Sequence, residues 1–106
     1  MKGFGENNKS KKINRSYSLH KYDENKILNE AIKYHYEGNL IQAGKLYKFL
    51  VEKGSSNSTV YTNYGLILIN KGKLKDAEFL IRKAIQLNPK DLIAYSNLGG
   101  LLKDQK

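Results

Sequence analysis

Ser58 to Asp91, STVYTNYGLILINKGKLKDAEFLIRKAIQLNPKD, is the stretch that decides the fold. Tyr61, Tyr64, Gly65 and Leu68 share one helical face, because residues three and four apart lie above one another on an α-helix. Gly72 interrupts that face. Leu74, Ala77, Ile81, Ala84 and Ile85 begin a second apolar stripe, and Pro89 closes the unit. The unit recurs. Tyr95, Leu98, Gly99 and Leu102 reproduce the first stripe 34 positions later, and Ile27, Ala31 and Tyr34 stand 34 positions before Tyr61, Gly65 and Leu68. A fixed period of this length marks a repeat architecture, in which each helix pair buries its apolar face against its neighbours.

This small-and-large alternation resembles the tetratricopeptide repeat (TPR), whose pattern runs aromatic, Leu, Gly, Tyr, Ala, Phe, Ala, Pro. The resemblance implies an all-α, right-handed superhelical solenoid of antiparallel helix pairs. The repeats fall at residues 24–57, at 58–91, and at 92–106 for the first helix of an incomplete third. The first repeat departs from the pattern: Glu30 stands in a Leu place, Leu50 replaces a small residue and Ser55 takes the proline position. Terminal repeats are commonly atypical, so this unit reads as a cap. The opening MKGFG, followed by lysines, also resembles the start of cyanobacterial-type TPR proteins.

Local signals set the expected helix ends. Asp23 caps a helix from Glu24 to about residue 37, with Ile27, Ala31 and Tyr34 inward. Gly38-Asn39 ends it, and a helix from Leu40 to about Lys53 turns Leu40, Ala43, Tyr47, Leu50 and Val51 inward before Gly54. Ser58 is expected to cap the next helix, which reaches about Lys71, and Leu74–Leu87 follows the Gly72-Lys73 turn. Gly65 lies inside its helix, at a cost of roughly 1 kcal/mol against Ala, which implies a close approach of the helix carrying Ala77. Asp91 caps the third start, where Leu98, Leu101 and Leu102 are expected to be left partly uncovered. Truncation, or self-association through this incomplete repeat, is therefore expected over a self-sufficient monomer.

Composition narrows the function classes. The 106 residues contain no cysteine, which excludes disulfides and thiolate metal sites. No apolar run reaches the length of a membrane span, and Lys2 and Phe4 lead into polar residues in place of a signal-peptide core, so the expected location is cytoplasmic. The net charge is +9, and residues 1–22 carry six basic side chains against Glu6 alone. This tail reads as disordered and solubilising. Nucleic-acid association through Lys9–Arg15 ranks below that reading.

The resemblance places function on the concave side, lined by the first helix of each repeat. Asn29, Asn63 and Asn97 recur there at intervals of 34. An amide offers a donor and an acceptor to an extended peptide backbone. The row resembles the asparagine ladder of O-linked N-acetylglucosamine transferases; a tolerated surface residue is the competing reading. Leu28, Ile32, His35, Tyr36, Thr62, Leu66 and Ile69 complete the expected peptide-binding groove. The carboxylate clamp of chaperone-binding TPRs does not fit, since its five places hold Leu28, Ile32, Asn63, Ile93 and Asn97, without a cation.

Catalysis has no constellation. His20 and His35 lack metal-ligand spacing, no phosphate-binding glycine loop is present, and Ser55, Ser56 and Ser58 are explained by turn chemistry. The reading is a non-enzymatic adaptor, without cofactor or metal, that binds a protein or peptide. The alternative is the leading, substrate-recruiting scaffold of a larger enzyme such as a glycosyltransferase or methyltransferase, which the resemblance implies for some bacterial arrays.

Overall fold

The computed structural model describes residues 22–104; the expected basic tail lies outside them except for Tyr22, whose ring meets Phe49 edge-on at 5.3 Å. The described residues form an all-α helical repeat: α1 (Glu24–Tyr36), α2 (Leu40–Glu52), α3 (Ser58–Asn70), α4 (Leu74–Leu87) and α5 (Leu92–Asp104). Each helix packs on the next, and α3 also reaches α5.

The first three helices end in the same way, for a local reason. Gly38, Gly54 and Gly72 take φ of 81°, 77° and 78°, a left-handed conformation open to glycine. After each, the chain folds back so that Asn39, Ser55 and Lys73 donate their backbone N–H to Tyr34, Leu50 and Leu68. This is the Schellman closure, and it satisfies carbonyls that a helix end leaves open. Helix starts are equally local. The Asp23 carboxylate accepts from the N–H groups of Asn25 and Lys26, and that of Asp91 accepts from Ala94.

One expected cap is corrected. Asn57, in extended conformation, accepts from the N–H of Thr59 at 2.9 Å, whereas Ser58 is already helical. Asn57 can reach back over the first turn; Ser58, one residue on, is part of that turn.

The core runs through both complete repeats as Ala31, Ala43, Tyr47, Leu50, Val60, Ile67, Ile81 and Ala84. Gly65 lies where α3 and α4 approach closely. A Cβ added there would lie 2.7 Å from Ile81 Cγ1, 3.2 Å from its Cδ1 and 3.5 Å from the Ala77 carbonyl oxygen. The expected close approach is thus present, with Ile81 as the main neighbour. On α5, Leu101 is corrected from partly uncovered to buried, while Leu98 is half-buried and Leu102 exposed.

The two repeat junctions are built from different polar contacts. At the first, Ser55 is buried where the repeat pattern places proline. Its hydroxyl donates to Glu24 Oε2 at 2.6 Å and accepts from the N–H of Asn57, while its carbonyl accepts from the Tyr61 hydroxyl at 2.7 Å. At the second, the Thr62 hydroxyl donates to Asp91 Oδ2 at 3.2 Å. The first joins the loop after α2 to the start of α1 and to α3; the second joins α3 to the start of α5.

Candidate ligand-binding groove

Three helices supply the walls of one open groove of about 410 Å³. Ile32, His35 and Tyr36 come from α1, Thr59, Asn63 and Leu66 from α3, and Ile93 from α5. The repeat explains why they converge. Ile32 and Leu66 stand 34 apart, as do Thr59 and Ile93, so equivalent faces of successive first helices are set side by side. None of these lining residues is an acid, a lysine or an arginine. Tyr36 and Ile93 are left 89% and 65% exposed at its edges.

Beneath the groove lies a polar trio. The Tyr47 hydroxyl, on a fully buried side chain, accepts from Asn63 Nδ2 at 3.1 Å and lies 3.2 Å from His35 Nδ1. A buried hydroxyl that accepts one bond needs an acceptor for its own proton. His35 Nδ1 fills that role, which makes the imidazole neutral with its proton on Nε2. Burial lowers the His35 pKa, in agreement with a neutral ring. Burial raises the Tyr47 pKa, Asn63's hydrogen bond opposes that shift, and Tyr36 adds to it. The trio links α1, α2 and α3, so it fixes the groove residues His35 and Asn63 to the core beneath them.

The three asparagines are not equivalent in the fold. Asn63 lines the groove. Asn29 lies in a separate hollow of α1 with Asp23, Asn25, Lys26, Glu30 and Lys33. Asn97 Nδ2 is buried without a hydrogen-bond partner. The repeat supplies the reason: Tyr47 accepts from Asn63, and the residue 34 after Tyr47 is Ile81, whose side chain has no acceptor.

Three of the expected groove residues lie elsewhere in the fold. Leu28 belongs to the core, and Thr62 is buried at the second junction, held by Asp91. Ile69 is half-buried against the core and does not line the groove. Thr59 and Ile93 were not among the expected groove residues, although their shared repeat position was a signal for them.

Residues 58–91 match the tetratricopeptide repeat family. The match covers α3, α4 and the turns around them; α1–α2 and α5 repeat its spacing. A comparison with curated proteins finds no match to the chain. Repeats of this family generally serve as non-catalytic scaffolds in protein–protein interaction. Among the described residues no group of three or more His, Cys, Asp or Glu could hold a metal ion, and no helix is long and apolar enough to cross a membrane.

Proposed function

We propose that the chain is an interaction scaffold that takes a segment of a partner protein in the groove formed by α1, α3 and α5. The observation that carries this reading is the exposure of Tyr36 and Ile93 on either side of an uncharged groove. Large apolar side chains left in water next to a concavity favour occupation by apolar ligand atoms. Asn63 gives Nδ2 to Tyr47, which leaves its carbonyl oxygen as the acceptor for a ligand. The neutral His35 ring carries its remaining N–H on Nε2. One donor and one acceptor match the two polar atoms of a peptide amide. The ligand is therefore an uncharged stretch of polypeptide with one or two apolar anchors. A terminal carboxylate or phosphate has no cation to meet there.

Selection from a random peptide library displayed on phage, followed by titration of the enriched peptides, tests the reading. Enriched peptides should be apolar at one or two positions and uncharged between them. The double variant Tyr36→Asp, Ile93→Asp should weaken them by roughly tenfold or more, about 1.4 kcal/mol, with unchanged helicity. Enriched peptides that bind the double variant as tightly as the parent would show that this groove is not the site.

A further inference from the structure

The last of the described helices, α5, presents to solvent a face that its counterpart in the preceding repeat buries. On α3, Ile81 of α4 covers Gly65 and Tyr61 is 5% exposed. On α5, a Cβ added at Gly99 would meet nothing within 4 Å, and Tyr95 is 46% exposed. Between α4 and α5 runs an open apolar groove of about 540 Å³, lined by Phe79, Arg82, Lys83, Ile85, Tyr95 and Leu98. Phe79 is 73% exposed.

We infer that this groove docks an amphipathic α-helix of a partner protein, with small and large aliphatic residues alternating along its seam and acidic residues on its flank. The seam is specified by the chain itself. Ile81 lies over Gly65 on α3 with the Ala77 carbonyl oxygen beside it, and Ala77, Ile81 and Ala84, spaced four and three apart, are all buried. The flank is specified by charge. Arg82 and Lys83 sit on the groove and no acid lines it. Glu78 pairs with Arg82 Nε at 2.9 Å along the same helix, so Lys83 supplies the cation for a docked carboxylate. A second copy of the chain would bring the same lip and the same net charge of +9 to the contact, which opposes self-docking. The face is separate from the groove under α1 and α3 apart from sharing α5, and its occupation does not depend on that reading.

The test uses the full chain and two helix-stapled, fluorescently labelled peptides. One has the sequence of residues 74–87; the other replaces its Lys75, Arg82 and Lys83 equivalents with Glu. In fluorescence anisotropy the acidic peptide should bind roughly tenfold more tightly, with the advantage shrinking as salt is raised. Lys83→Glu in the chain should reverse the preference. A Cβ added at Gly99 meets nothing within 4 Å, so helicity should persist in Gly99→Leu while binding is lost. Absence of binding, equal binding of both peptides, or full binding by Gly99→Leu would overturn the inference. Sedimentation showing a dimer that Gly99→Leu dissolves would assign the face to a second copy and overturn it as well.

Discussion

Gly65 and Gly99 occupy the same place in successive repeats, yet replacing each with alanine should move stability in opposite directions. In a helix interior, Gly→Ala stabilises by roughly 0.5–1 kcal/mol through lower unfolded-state entropy and better propensity. At Gly99 nothing lies within 4 Å of the added Cβ, so that gain should appear in full. At Gly65 the Cβ would sit 2.7 Å from Ile81 Cγ1, well inside contact distance. Ile81 is fully buried, and its β-branched side chain has few rotamers to escape into. Overpacking of this kind costs about 1–3 kcal/mol, so the net change is a loss of roughly 0–2.5 kcal/mol. For a domain of this size, 1 kcal/mol moves Tm by about 4–8 °C. Thermal and urea melts followed by circular dichroism read the difference, and Gly65→Leu should unfold at a lower temperature than Gly65→Ala. In an Ile81→Ala background the obstacle is gone, so Gly65→Ala should become neutral or stabilising. If Gly65→Ala stabilises as much as Gly99→Ala, the close approach of α3 and α4 is wrong.

Further outcomes follow from the polar contacts. The folded-state pKa of His35 lies below its ordinary value of 6.5, so the unfolded chain binds more protons between the two values. The stability that His35 contributes is complete above 6.5 and is lost as pH falls through the folded value; His35→Gln should flatten that slope, and parallel pH profiles for the two proteins would count against the neutral trio. Asn97→Leu removes a buried N–H group without a partner and should raise stability by about 1 kcal/mol. A lower urea midpoint for this variant would mean that the amide is satisfied in solution. Ser55→Pro restores the family pattern but deletes the N–H that donates to the Leu50 carbonyl and the hydroxyl that donates to Glu24. It should destabilise by about 1–3 kcal/mol, and a gain in Tm would refute the role given to Ser55 at the junction.

What the sequence alone determined about this protein is mostly local or periodic. Asp23, Gly38, Gly54, Gly72 and Asp91 set helix ends through atoms a few residues away, so their roles could be read from order alone. The period of 34 put equivalent helices in equivalent places, which fixed the all-α repeat and brought Ile32, His35, Tyr36, Asn63 and Leu66 to one surface. Asn57 was missed as a cap because two adjacent residues both have capping side chains, and only backbone conformation separates them.

Tertiary structure decided which polar atoms meet and which faces are covered. Asn63 and Asn97 are identical in repeat position, yet one is satisfied by Tyr47 and the other faces a junction where Ile81 replaces that tyrosine. Thr62 carries a groove-like pattern but is sealed by Asp91 from the next repeat, and Leu28 is taken into the core. Gly65 and Gly99 read alike until Ile81 is found over one and open space over the other. Periodicity assigns a residue to a helix face; what lies opposite that face depends on side chains many positions away, which differ from one repeat to the next.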